Sequence, residues 1–95
     1  MSDHKITALA DLLRQAGAAH GEYEIAVLNG VYDEAWADWY ADWLLANGFG
    51  AVVRAPQAPA ELSALLADLN RQHRASDGGQ HWADFYAARI AAILG

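Results

Sequence analysis

The chain carries the same apolar helical pattern twice, with a histidine inside the apolar stripe each time. Leucines spaced three and four residues apart precede His20, and a similar leucine series precedes His73. The two histidines, and the two copies of the pattern, lie 53 residues apart. An acidic residue follows each histidine at the fourth position, Glu24 in the first copy and Asp77 in the second. A buried imidazole needs a hydrogen-bonding partner, so both halves of the chain meet the same requirement.

An aromatic string is repeated as well. WADWYA at residues 36–41 returns as WADFYA at residues 82–87. Each copy therefore predicts two amphipathic helices joined as an antiparallel hairpin. Because one such hairpin cannot cover its own apolar stripe, the two copies are expected to pack against each other. The sequence predicts an all-α fold, a four-helix bundle built from two similar antiparallel helical hairpins.

The repeat also sets boundaries within one domain that spans residues 1–95. The first hairpin is expected at about residues 3–48 and the second at about residues 59–95. The segment between them, residues 49–58, is expected to be a linker, because the residue before a proline is biased away from the helical conformation. An α+β alternative stays open, in which residues 25–28 and 51–53 form two short strands.

Local signals indicate where the helices begin and end. Asn29-Gly30 and Asn47-Gly48 are typical of helix ends, and Asp33 is a suitable cap for the second helix. Gly17 and Gly21 each weaken the first helix by about 1 kcal/mol relative to alanine. Their presence indicates either a close approach by another helix or an early end of this one.

Composition narrows the classes of partner. The chain has a formal net charge of -6 and no cysteine. A negative charge opposes binding to phosphate backbones, so nucleic acid is not an expected partner. No stretch approaches the roughly 18 consecutive apolar residues of a membrane span, and no leader-like segment is evident, so we expect a cytoplasmic protein without a membrane partner. A domain this small has a limited core, which favours a homodimer or another protein partner.

Hairpin geometry predicts which side chains meet. A hairpin that closes near Gly30 places His20 opposite Tyr40, with Glu24 one turn nearer the loop. The same construction in the second copy places His73 near Tyr86, and Arg89 falls on the inward face of the last helix. If the two hairpins face each other, these six side chains form a polar group inside an aromatic core.

Three interpretations of this polar group compete, and the first requires no ligand. In it, each histidine is a core residue that hydrogen bonds to a tyrosine or an acid, as buried polar groups usually do. In the second, the group lines a pocket for a small organic ligand, with tryptophans as flat walls and Arg89 as a fork for a carboxylate or phosphate. The predicted ligand-binding residues are His20, Glu24, Trp36, Trp39, Tyr40, His73, Tyr86 and Arg89.

In the third interpretation, the two histidine and acid pairs hold a divalent metal ion. The weak candidate ligands are His20, Glu24, His73 and Asp77, and the chain lacks the Glu-x-x-His signature of bundle metal sites. No cofactor is therefore predicted. An enzymatic variant of the second interpretation uses His20 as a general base oriented by Glu24, with Tyr40 or Arg89 stabilising charge. The chain has no nucleophile elbow, phosphate-binding loop or cysteine nucleophile, so we favour a small helical binding or interaction module.

Part of the chain resembles a known pattern. HGEYE at residues 20–24, YDEAW at residues 32–36 and WYADWL at residues 39–44 resemble an HGxYE, YDxxW, WYAxWL pattern of short bacterial helical proteins. The resemblance covers residues 20–44 and reaches the second half only through the repeat. It implies a helical hairpin in which His20, Glu24, Trp36, Trp39 and Tyr40 belong together, and it implies no activity.

Overall fold

The regular structure in the described part of the chain is entirely helical. The computed structural model describes residues 2–30, 33–53, 57–76 and 80–94. The helices over these ranges are α1 (Ser2–Ala26), α2 (Trp36–Ala46), α3 (Phe49–Val53), α4 (Pro59–Ala75) and α5 (Trp82–Leu94). The all-α prediction is confirmed. None of the described helices is long and apolar enough to cross a membrane.

The four longer helices surround a common core. Helix α1 packs against α5 and α2, and α4 packs against the same two neighbours. Leucines at the predicted stripe positions have no exposed surface and form the centre of this core, together with Phe49 and Ile90. These leucines are Leu9, Leu13, Leu44, Leu62, Leu66 and Leu69. Burial of such side chains is worth roughly 1.5–3 kcal/mol each, so the apolar stripes are the main source of stability.

A fifth helix lies where the sequence predicts only a linker. Helix α3 spans the first half of residues 49–58 and packs against α1 and α2. Its two ends, Phe49 and Val53, are buried, and their spacing of four places both on one face of a helical turn. The simpler plan of four helices in two hairpins is therefore not confirmed.

The alternative with two short strands is wrong. Residues 25 and 26 are the last two of α1. The next two backbone N–H groups continue the helical hydrogen bonding, because Val27 N–H donates to the Tyr23 carbonyl at 2.9 Å and Leu28 N–H donates to the Glu24 carbonyl at 3.2 Å. Residues 51–53 belong to α3. Apolar runs this short fit either a strand or a helix, and here continuity with α1 and burial of the α3 face favour the helix.

The helix ends follow the asparagine and glycine pairs. Asn29 and Gly30 have φ angles of 54° and 81°, and Gly48 has a φ of 108°, so each connection uses the left-handed region that favours these residues. The role predicted for Asp33 differs in detail. Helix α2 begins at Trp36 after Ala35, and Asp33 Oδ1 accepts a hydrogen bond from the Ala35 N–H at 3.0 Å, outside the helix.

Candidate functional site

A cavity of about 470 Å³ lies where α1, α2, α4 and α5 meet. Its walls combine charged, amide, imidazole and aromatic side chains from all four helices and from the connection before α2. The lining residues are His20, Glu24, Asp33, Trp36, Tyr40, Asn70, His73, Arg74, Trp82 and Tyr86. Both repeated histidines therefore line the same cavity, together with the two tyrosines expected beside them.

His20 is held between two carboxylates. The residue is only 7% exposed, and its Nε2 lies 3.0 Å from Asp33 Oδ2 while its Nδ1 lies 3.6 Å from Glu24 Oε1. The hydrogen bond to Asp33 places a hydrogen on Nε2, and the contact with Glu24 is attractive when Nδ1 carries one as well. Since both ring nitrogens face carboxylates of the protein, His20 is better placed to orient these acids than to take a proton from a substrate.

Aromatic rings enclose the same histidine. The His20 ring lies 5.0 Å from the rings of both Trp39 and Tyr40, and 6.1 Å from that of Tyr23. The expected pairing of positions 20 and 40 across the first hairpin is therefore present. Trp39 differs from its predicted role, because it packs on His20 and Tyr23 and does not line the cavity.

Helix α4 supplies the opposite side of the cavity. His73 and Arg74 follow Asn70 by three and four positions, so both lie next to Asn70 on the helix surface. His73 Nε2–H donates to the Gln80 carbonyl at 2.8 Å, which leaves Nδ1 of the neutral ring as a hydrogen-bond acceptor. Asn70 Oδ1 accepts from the Tyr86 hydroxyl at 3.4 Å. This side therefore offers an amide, an imidazole and a guanidinium group.

Both cavity tyrosines are kept neutral. Burial raises the pKa of the Tyr40 phenol, and the negative charge of Glu24 raises it further. Burial, and after it the neighbouring Tyr40, raise the pKa of the Tyr86 phenol to about 12, while Arg74 opposes the increase. At neutral pH both phenols therefore remain protonated. The Tyr86 O–H already donates to Asn70 Oδ1, so the Tyr86 oxygen can only accept a hydrogen bond from a bound molecule.

Edge-to-face aromatic pairs form the remaining wall. The ring of Tyr40 lies 5.7 Å from that of Trp36 and 6.1 Å from that of Trp82, and Trp82 lies 5.3 Å from Tyr86. Tyr40 and Trp82 also border a second cavity of about 360 Å³ that reaches Arg14 and His81. The two rings thus separate the cavities.

Gly17 allows this wall to approach α1. A Cβ added at Gly17 would lie 3.0 Å from Trp82 Cζ2, whereas one added at Gly21 would meet nothing within 4 Å. Of the two explanations for a glycine in this helix, close approach therefore applies at Gly17. Helix α1 also runs through both positions without ending.

Arg89 does not occupy its predicted place. The residue is exposed, does not line the cavity, and its guanidinium lies 4.9 Å above the ring of Phe85 in a cation–π contact. The guanidinium of the cavity belongs to Arg74. A rotation of the predicted inward face of α5 explains the error, because Tyr86 and Ile90 are buried on that helix while position 89 lies to their side.

Sequence reasoning also missed Asp33, Asn70, Arg74 and Trp82 as site residues. Two signals were present. Asp33 lies within the YDEAW string, and the side chains at positions 70 and 74 flank His73 on its own helical face. The sequence predicts Asp33 as a helix cap, and its contact with His20 joins two residues thirteen positions apart, which a local pattern does not reveal.

The metal-binding set is not assembled in the described residues. No group of three or more histidine, aspartate and glutamate side chains in residues 2–30, 33–53, 57–76 and 80–94 is placed to share a metal ion. The two acids beside His20 face different nitrogens of its ring, so they do not converge on one point. Asp77 lies outside the described residues.

Comparison with known proteins adds no relative. No protein family, curated protein or solved structure matches the chain. The resemblance of residues 20–44 to short bacterial helical proteins therefore stays a prediction. The side chains around the cavity are the basis for a functional proposal.

Proposed function

We propose that the protein is a small binding module that holds a small organic molecule in the cavity between its four longer helices. The observation that carries this proposal is the convergence of His20, His73, Tyr40 and Tyr86, from four different helices, on one cavity of about 470 Å³. Ligand pockets in proteins usually measure about 300–1,000 Å³ and combine apolar walls with a few polar groups.

The polar lining supports a ligand over a purely structural role. Tyr40 and His73 border an open volume, and the His73 ring has a second nitrogen, Nδ1, besides the one that donates to the Gln80 carbonyl. Aromatic rings on the remaining sides give a planar ligand surfaces on which to stack.

We further propose that the four longer helices form the bundle predicted from the repeat, with α3 as an addition to the connection between its halves. The order of neighbours supports this arrangement, since α1 and α4 each pack against α2 and α5. A homodimer is the proposed assembly in solution. Light scattering after size-exclusion chromatography measures its mass directly, and a monomer at all concentrations would remove the dimer from the proposal.

A fragment screen observed by NMR tests the binding proposal. The indole N–H signals of Trp36 and Trp82 report on the cavity, and that of Trp43 reports on a site outside it. We expect bound fragments to shift the first two signals and to leave the third in place. If no fragment shifts the Trp36 signal, the proposal is wrong, because Trp82 also borders the second cavity.

A matched pair of variants places the binding site. Asn70→Phe fills the cavity from α4, whereas Arg71→Phe adds the same ring at the next position, which is exposed and does not line the cavity. We expect N70F to lose fragment binding and R71F to keep it, with helical circular dichroism showing that both fold. Equal binding by the two folded variants would place the ligand elsewhere.

A further inference from the structure

We propose that the ligand of this cavity is bipolar, with a cationic group at one end, an anionic group at the other and an aromatic body between them. This inference rests on the proposed binding function and specifies the chemical class of the ligand. Three observations carry the inference: the charged groups that border the cavity, the hydrogen bonds and ion pairs that these groups already make, and the helices to which they belong.

Glu24 supplies the site for the cationic group. The Glu24 side chain is 32% exposed and lines the cavity, and its carboxylate has one contact, with His20 at 3.6 Å, so it can accept further hydrogen bonds. Asp33 has less hydrogen-bonding capacity left for a ligand, because one carboxylate oxygen accepts from the Ala35 N–H and the other pairs with His20. A ligand ammonium beside Glu24 would also lie near Tyr40, because the two residues line the same cavity and Glu24 acts electrostatically on the Tyr40 phenol.

Arg74 supplies the site for the anionic group. The other two arginines of α1 and α4 that the structure describes are paired, Arg14 with Asp84 at 2.9 Å and Arg71 with Asp68 at 3.1 Å. Within the described ranges, no carboxylate lies within ion-pairing distance of Arg74, which borders the cavity beside Asn70 and His73. A guanidinium presents a planar fork of N–H donors that matches a carboxylate or a phosphate.

The two charges lie on different sides of the cavity. Glu24 belongs to α1 and Arg74 to α4, and these helices each pack on α2 and α5. The effects on the tyrosines agree with this order, since Glu24 raises the pKa of Tyr40 and Arg74 opposes the increase at Tyr86. The rings of Trp36 and Trp82 border the same volume, so an aromatic body fits between the charged ends.

A series of four related compounds separates the two charges. 4-(Aminomethyl)phenylacetic acid carries both charges, 4-methylphenylacetic acid only the negative one, 4-methylbenzylamine only the positive one, and 4-methylbenzyl alcohol neither. We expect calorimetry to show the first compound binding about tenfold more tightly than either singly charged compound, because each charged end gains an ionic hydrogen bond. The alcohol is expected to bind most weakly.

Charge-removing variants assign each end. We expect Glu24→Gln to weaken the binding of 4-(aminomethyl)phenylacetic acid and 4-methylbenzylamine about tenfold and to leave the binding of 4-methylphenylacetic acid unchanged. We expect Arg74→Gln to weaken the binding of the two acids about tenfold and to leave the binding of 4-methylbenzylamine unchanged. Glu22→Gln and Arg71→Gln remove the same charges from exposed positions of α1 and α4 that do not line the cavity, and they should bind all four compounds as the wild type does.

The outcomes distinguish this inference from the binding proposal itself. If the alcohol binds as tightly as the bipolar compound, the cavity is a ligand site and the charge assignment is wrong. If E24Q and R74Q weaken all compounds equally, the assignment of separate ends is also wrong. If none of the four compounds binds while other fragments shift the Trp36 and Trp82 signals, the bipolar class is excluded and the binding function stands.

Discussion

At the scale of single residues, His20 connects α1 to the chain that leads into α2. Its hydrogen bond to Asp33 spans thirteen positions, and Asp33 in turn accepts from the Ala35 N–H just before α2. The imidazole is also enclosed by Trp39 and Tyr40. One side chain thus fixes the connection, the aromatic packing and the position of Glu24 at the cavity.

We expect His20→Ala to lower the free energy of unfolding by about 2–3 kcal/mol, because it removes a packed ring and leaves the largely buried Asp33 carboxylate without its partner. Urea unfolding measures the loss. His4→Ala is the matched control, since His4 is exposed, and it should change stability by less than about 0.5 kcal/mol. Equal effects of the two substitutions would contradict a structural role for the His20 contacts.

Tyr86 makes stability depend on alkaline pH. Its pKa is raised from 10.0 to about 12, so the unfolded chain releases this proton first as pH rises. The contribution is therefore fully present below pH 10 and is lost between pH 10 and about 12. The full change corresponds to about 3 kcal/mol, of which about 2 kcal/mol is lost by pH 11.5.

Urea unfolding at pH 9 and at pH 11.5 tests this dependence. We expect the wild type to lose about 2 kcal/mol more between the two conditions than Tyr86→Phe, which has no phenol to ionise. The lost hydrogen bond to Asn70 lowers the stability of Y86F at both pH values and cancels in the difference. An identical loss in both proteins would show that Tyr86 ionises normally in the folded state.

At the scale of helices, α1 contains a glycine that serves packing and another that does not. Gly17 lies against the Trp82 ring, which borders both cavities, whereas Gly21 has open space beside it. Both positions lie inside the same helix, so their intrinsic helical cost is equal. The pair therefore isolates the effect of the contact with Trp82.

We expect Gly21→Ala to stabilise the protein by about 0.5–1 kcal/mol, because alanine favours the helix and meets no neighbour. Gly17→Ala gains the same propensity, but its Cβ would lie 3.0 Å from Trp82 and force the ring to move. We expect G17A to be at least about 1 kcal/mol less stable than G21A and to change the tryptophan fluorescence. Equal stabilities and unchanged fluorescence would show that Trp82 adapts freely.

At the scale of the whole molecule, the chain covers its core without a partner. The radius of gyration is 13.0 Å, close to the value of about 13 Å expected for a compact domain of 100 residues. The exposed large apolar side chains of the described ranges are Ile25 in the last turn of α1, Val27 just after that helix and Ile93 in the last turn of α5. Isolated apolar residues are common on protein surfaces, so the homodimer stays a prediction.

Much of the fold could be predicted because its signals are local. The leucine spacing before His20 and His73 predicts one buried face on each helix, and the asparagine and glycine pairs mark helix ends through their backbone preferences. Helix α3 could not be predicted in this way. Its five residues are too few to show a period, and it forms because Phe49 and Val53 are buried against α1 and α2.

From the residue pattern alone, we could predict a mainly helical chain in which two histidines, each close to a tyrosine of the following helix, lie toward a common interior. Which charged groups reach the cavity depends on how the helices pack against each other. Arg74 borders the cavity, whereas Arg89 packs on Phe85. Asp33, which the sequence predicts as a helix cap, is the hydrogen-bonding partner of His20. Helical periodicity fixes the angle between residues on one helix, whereas the rotation of each helix against its neighbours depends on packing between distant parts of the chain.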